Sequence, residues 1–333
     1  MKSLLTIITV SFIYFSTGAQ DHYAHFQEYG AKDGFNAFEV SGNAIKDKKG
    51  FIWIGSDNGL YRFDGQNFKS FRHDPADPLS LPSDNANTIF IEADGTFWIN
   101  NGVKGISNFD NDSQKFYPWQ NSNINEIDIS KEHVSKIFQD SRKRIWFIIS
   151  GRGLAYQNKK NNSLQVFSFY NGSISDRTWM STAYLNDIAE DGNHLFWIAS
   201  QAGLVQFNPE TKTSKIFRDT THGKENETRH TALNNIFIGH DGIVWIGTWG
   251  AGLKNYDPKK NQWQTFYWDL QHLENSTRNI GFSMIFNIQT GQFTKVVNMN
   301  STASRAITAT KLFDDGSGII WCSGQKQLTK LEV

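Results

Sequence analysis

Two groups of side chains in this 333-residue sequence have the types and spacing to do chemistry. The first is aromatic and cationic. Trp179 and Trp249 lie in polar stretches between apolar segments, and Arg152, Arg177, Arg229 and Arg278 lie in stretches of the same kind. An exposed indole presents a large flat area at low entropy cost and can stack on the apolar face of a sugar ring. Guanidinium groups fork onto uronate or sulfate oxygens. Residues of these types could together contact a sugar ligand. Each of these residues also has an ordinary reading as loop packing or solvated charge. The second group is acidic. Asp47, Asp94 and Asp241 each precede a Gly and then a Trp (Gly50 and Trp53, Gly95 and Trp98, Gly242 and Trp245). A carboxylate so placed caps the N–H groups of a turn before a strand, which is a structural task. His222, His230 and His240 have no recognised metal-ligand spacing, so neither metal nor cofactor is expected and no catalytic residue is assigned.

The elements that must position these residues are repeats. The stretch 50–71 (GFIWIGSDNGLYRFDGQNFKSF) is the clearest: an apolar burst around Trp53, a Gly-rich turn, a second short strand, then an Asp-Gly turn and a strand with Phe68 and Phe71. Weaker copies surround Trp98, Trp146, Trp197, Trp245 and Trp321, at gaps of 45, 48, 51, 48 and 76. Self-similarity at this period, with several short strands and one Trp anchor per unit, predicts a β-propeller. A second marker is an F-x-x-aromatic pair at the outer strand: Phe68/Phe71, Phe116/Trp119, Phe167/Tyr170 and Trp263/Phe266, with weaker forms at Phe217 and Phe293. One more, Phe26/Tyr29, precedes the first Trp unit. From each outer-strand Phe (26, 68, 116, 167, 217, 293) to the next Trp the distances are 27, 30, 30, 30, 28 and 28. Seven outer strands against six Trp strands predict seven blades, with His25–Tyr29 closing the last blade by pairing with the C-terminal strand. Blade six is degenerate, and six blades is the alternative count.

Length and composition agree. Residues 1–19 read as a signal peptide cleaved after Ala19, leaving 20–333 as one propeller domain, periplasmic or secreted, with no membrane span in the mature chain. Net charge is zero, with 33 basic and 33 acidic residues, which argues against a nucleic-acid surface. The single cysteine, Cys322, excludes an intrachain disulfide framework. Long polar connections (72–87, 120–133, 171–184, 218–233 and 268–279) and the turns at 56–59, 100–105, 150–153, 200–203 and 248–252 are expected on one face, and the ligand site is placed there.

The repeat resembles the two-component regulator propeller repeat, found in the periplasmic sensors of hybrid two-component systems, chiefly in Bacteroidetes. The residues that carry the resemblance are 47–64 (DKKGFIWIGSDNGLYRFD), 242–248 (GIVWIGT) and the inter-blade segment 73–85 (HDPADPLSLPSDN). Such sensors have two propellers, a β-sandwich, a membrane helix, a kinase and a DNA-binding regulator, so the resemblance implies an N-terminal propeller only. It also implies a non-catalytic module with oligosaccharide ligands, partnered by the remaining sensor domains or a second copy. The D-x-x-G-x-x-W element is similar to the Asp-box of sialidases, itself structural. Two other readings stand: a propeller enzyme, similar to virginiamycin B lyase or active on glycans, and a secreted protein–protein interaction propeller.

Overall fold

The computed structural model describes residues 25–36, 44–86, 88–123, 126–169, 184–201, 203–219, 233–239, 241–248 and 253–266, and the strands at 284–287, 292–295, 311–314, 319–324 and 327–332. The described residues are all-β. After β1 (His25–Tyr29) the chain lays down five antiparallel meanders of four strands each. The first is β2 (Ala44–Lys46), β3 (Ile52–Ser56), β4 (Gly59–Phe63) and β5 (Phe68–Phe71). The second is β6 (Thr88–Ile91), β7 (Phe97–Asn100), β8 (Ile106–Asp110) and β9 (Lys115–Pro118). The third is β10 (Val134–Gln139), β11 (Ile145–Ile149), β12 (Gly153–Asn158) and β13 (Ser163–Phe167). The fourth is β14 (Leu185–Glu190), β15 (Phe196–Ser200), β16 (Gly203–Asn208) and β17 (Thr213–Phe217), and the fifth is β18 (Leu233–Ile238), β19 (Val244–Thr248), β20 (Leu253–Asp257) and β21 (Gln262–Phe266). A hairpin of β22 (Met284–Asn287) and β23 (Gln292–Lys295) follows. The last sheet runs β24 (Lys311–Asp314), β25 (Ile319–Gly324), β26 (Gln327–Glu332) and then β1. Four-stranded antiparallel meanders are the units of propeller-like folds. Contacts divide the chain into two compact units, Met1–Trp119 with Leu270–Val333, and Gln120–Asp269.

Burial follows the repeat. The Trp strands β3, β11 and β15 are buried at all five positions, as apolar runs covered on both faces must be. The outermost strands are mostly exposed. In the first unit Trp53, fully buried, packs with Phe71, Phe97, Phe109 and Phe116 between the first two sheets. In the second, Trp146 and Trp197 hold equivalent places against Phe196 and Phe207, and against Tyr256 and Leu233.

The pairing expected of β1 is present. Tyr29 stands opposite Leu328 of β26, as Phe71 stands opposite Leu60 in the first sheet. Tyr29 then packs on Phe63 and Phe68 at ring distances of 4.8 and 5.9 Å, and Phe35 packs on Tyr61 at 4.9 Å. The same registers correct the outer-strand marker. Phe167 and Phe217 oppose Leu154 and Leu204, so they match Phe71 and not Phe68. The third pair is therefore Leu164/Phe167, not Phe167/Tyr170. The recurrent distance of 30 mixed two positions of the strand. A motif made only of two apolar residues three apart does not fix its own register.

One backbone position constrains the turns tightly. Gly59 has φ +98°, and a Cβ there would meet the Phe71 carbonyl oxygen at 2.5 Å, so β5 closes directly over it. Gly203 repeats the arrangement against Phe217 at 2.7 Å. Gly59→Ala is expected to destabilise by about 2–4 kcal/mol, left-handed strain and displacement of β5 combined. Urea unfolding measures this; a loss below about 0.5 kcal/mol would show that the strand yields freely.

Candidate functional site

In the first, third and fourth sheets the Trp strand is preceded by a turn whose carboxylate holds both backbone and indole. Asp47 Oδ1 accepts from the N–H groups of Lys49 and Phe51 (2.9 and 3.0 Å), while Oδ2 accepts from Trp53 Nε1 at 2.8 Å. Asp140 does the same for Arg142, Arg144 and Trp146, and Asp191 for Asn193, Leu195 and Trp197. The acceptor lies six residues before the Trp. Three residues before the Trp the chain takes a positive φ, at Gly50, Gly95, Lys143, His194 and Gly242. Asp94 and Asp241 stand four residues before the Trp and cap the turn as expected, accepting from Thr96 N and Ile243 N (2.9 and 3.0 Å). In the second sheet the indole acceptor is Glu92, whose longer side chain reaches Trp98 Nε1 at 2.8 Å. Asp47, Glu92 and Asp140 are thus buried supports for the Trp anchors, and Asp191 is a half-buried one.

Of the six residues expected to bind ligand, the described residues include Arg152 alone; Trp179, Trp249, Arg177, Arg229 and Arg278 lie outside them. His222, His230, His240 and Trp268 lie outside them too. Arg152 sits at the turn between β11 and β12, half exposed. Its guanidinium forks onto Glu132, Nη2 to Oε1 at 2.8 Å and Nε to Oε2 at 3.3 Å. A ligand acid would compete with Glu132 for it. Beside it, His133 Nδ1 lies 2.9 Å from Ser150 Oγ. Trp119 and Trp263 serve packing: Trp119 stands edge-on to Trp98 at 5.4 Å, and Trp263 packs on Tyr256 at 5.0 Å.

The equivalent end of the first sheet carries a polar network. Arg72 donates through Nη2 to the Tyr61 hydroxyl at 2.6 Å and through Nη1 to Asn58. Burial pushes the Tyr61 phenol above its ordinary range, with the Arg72 charge pulling the other way. The residue opposite the position after the Trp is Tyr61, Ser107, Ala155 or Val205 in the first four sheets, but Lys254 in the fifth. Lys254 is fully buried and pairs with Asp219 at 2.6 Å, also buried.

Two of the long connections act as covers. The connection before β6 gives the Leu79 carbonyl to Phe116 N (2.9 Å) and Asp77 to Lys115 (2.7 Å), along the free edge of β9. The next gives Asn123, whose amide pairs with both backbone groups of Leu164 on β13, each at 2.9 Å. Covered edges cannot recruit foreign strands. A groove of about 630 Å³ runs between this connection and β13, lined by Ser122, Glu126, Ile127, Gln165 and Val166 among others. Arg152 is not among the described residues that line it. Among the described residues, no group of three or more His, Cys, Asp or Glu side chains could hold a metal ion, and no helix is long and apolar enough to cross a membrane.

No protein-family profile matches the sequence. A histidine kinase of Formosa agariphila is 33% identical over 78 residues, 23% of this chain and 6% of that protein. The fold is similar to that of the extracellular domains of two hybrid two-component systems from B. thetaiotaomicron. One superposes with TM-score 0.70 at 18% identity, covering 92% of this chain and 41% of that domain; the other gives 0.71 at 17% identity, covering 92% and 42%. The chain therefore spans about two-fifths of the length of those domains. Virginiamycin B lyase from Staphylococcus aureus superposes with TM-score 0.66 at 12% identity, covering 93% of this chain and all of the lyase.

Proposed function

We propose that this chain is a non-catalytic propeller module of the sensor part of a hybrid two-component regulator, of the two-component regulator propeller family. In this reading residues 1–19 are a signal peptide, residues 20–333 form a seven-bladed propeller, and the module works in the periplasm with oligosaccharides as its ligands. The remaining sensor domains or a second copy are its partners. The observation that carries the reading is the fold likeness over 92% of the chain to extracellular domains of such systems. The local sequence match to a histidine kinase supports it. The blade count rests on the repeat spacing and on β1 taking an outer-strand register against β26. Trp179, Trp249, Arg152, Arg177, Arg229 and Arg278 are the proposed contacts.

The test is thermal unfolding of residues 20–333 against plant, host and algal oligosaccharides, with and without divalent cations. A ligand at 100 times its Kd stabilises by about 2.7 kcal/mol. The expected result is a cation-independent upward shift with one sugar class, abolished by Trp179→Ala or Trp249→Ala. No shift with any sugar would remove ligand binding from this propeller. One observation favours a second reading, a propeller lyase: the likeness to virginiamycin B lyase spans that enzyme's whole length. Cation-dependent product formation from quinupristin, the compound bound in a lyase structure, would establish it in place of the sensor.

A further inference from the structure

In the second unit the innermost strands carry a β-bulge at one shared position. The register slips between Val134 and Lys136, between Leu185 and Asp187, and between Leu233 and Asn235. The sequence spells the slip as an apolar residue followed by two polar ones: Val-Ser-Lys, Leu-Asn-Asp and Leu-Asn-Asn. In a regular strand consecutive side chains point to opposite faces. A bulge breaks that alternation and re-aims a side chain. At β14 the result is that two consecutive residues reach the same neighbour. Asn186 Nδ2 donates to the Leu233 carbonyl at 2.6 Å, and Asp187 Oδ2 accepts from Ile236 N at 3.1 Å. Both partners lie on β18, an edge strand of its four-stranded sheet among the described residues. Asp187 is buried, its other oxygen accepts from Ile188 N at 2.9 Å, and Lys136 of the preceding sheet pairs with it.

We infer that Asn186 and Asp187 form a joint that closes the open inner edge of the following sheet, β18–β21, doing with two side chains what a fifth strand would do with backbone. The sheet earlier in the chain supplies a side-chain donor and acceptor, and the later sheet supplies the backbone edge. Each bond satisfies both partners, the buried Asp187 carboxylate as well as the Ile236 amide, so order at the β18 edge is coupled to order at the β14 bulge. The inference goes beyond the sensor reading and is independent of any ligand.

Hydrogen exchange on the intact protein tests it. Asp187→Ala is expected to speed exchange at the Ile236 amide at least tenfold, and also at Ile188, whose N–H the same carboxylate accepts. Asn186→Ala, a substitution at a half-buried site, tests the joint without removing a charge. It is expected to speed exchange across Leu233–Ile238 about threefold or more, with β16 and β17 unchanged. Unchanged exchange at Ile236 and across β18 in both variants would overturn the joint. Equal loss of protection in β16, β17 and β18 in Asn186→Ala would overturn it too, since the substitution would then act on the whole unit and not on one edge.

Discussion

Asp219→Ala is expected to cost about 3–5 kcal/mol, more than any other single truncation of an ion pair in the second unit. The reason lies in where Lys254 sits. Its side chain is fully out of water, at a strand position that the third and fourth sheets fill with Ala155 and Val205. With Asp219 in place the ammonium has a carboxylate 2.6 Å away. Without it the ammonium stays in a poorly solvating interior with one carboxylate fewer to compensate its charge, which is unfavourable. The exposed pairs behave differently: Lys49 with Asp112, at 3.8 Å and largely solvated on both sides, contributes little. The double variant Lys254→Met/Asp219→Leu is expected to recover most of the loss, because apolar side chains of similar volume replace buried ion pairs at little cost. Urea unfolding of the two single variants and the double variant decides it. A loss below about 1 kcal/mol for Asp219→Ala would mean that water or another group compensates the Lys254 charge, and a double variant no better than the worse single would mean that the pair is needed for packing geometry.

That pair marks the limit of what the sequence makes legible. The Trp strands are readable because burial on both faces demands an uninterrupted apolar run, and residues 52–55, 145–149 and 196–199 have one. The N-terminal strand was readable because Phe26 and Tyr29 repeat the spacing of Phe68 and Phe71, and the pairing with β26 puts Tyr29 in the matching register. The register of β13 and β17 was not readable, since Leu164/Phe167 and Phe167/Tyr170 satisfy the same loose spacing. The turn acids were half readable. Asp47 was found through Gly50. Asp140 and Asp191 were missed because the positive-φ position in their turns holds Lys143 and His194 instead of glycine. The constant six-residue step to the Trp was the signal that would have found them. The candidate site was the least legible part. Its residues were chosen from loops for their chemistry, and the described one, Arg152, is engaged by Glu132 twenty residues earlier, a pairing that nothing local announces.

The largest single effect is expected at Trp53. Trp53→Ala removes a fully buried side chain that packs on Phe71 (5.6 Å between ring centres), Phe97 (5.0 Å) and Phe109 (5.2 Å). Deleting a buried aromatic of this kind costs about 3–5 kcal/mol through lost transfer energy and the cavity left behind. The change does a second thing: Asp47 Oδ2 loses the indole donor at 2.8 Å, and Asp47 is itself buried. Leaving a buried acceptor without its donor adds about 1–3 kcal/mol. The two contributions separate in part with Trp53→Phe, which keeps a six-membered ring in the core and loses the N–H with the rest of the five-membered ring. Its expected loss is the hydrogen-bond contribution plus the packing of the deleted ring atoms, less than that of Trp53→Ala. Asp47→Ala removes the acceptor from the other side and also frees the amides of Lys49 and Phe51, so it should exceed Trp53→Phe. Because Asp47 and Trp53 share one hydrogen bond, the double variant Asp47→Ala/Trp53→Phe should be less destabilised than the sum of its parts. Additive losses in that cycle would mean that the carboxylate holds only the turn. The indole N–H would then be incidental to a Trp retained for its volume alone, and the same reading would pass to Asp140 with Trp146 and Asp191 with Trp197, whose geometry is the same.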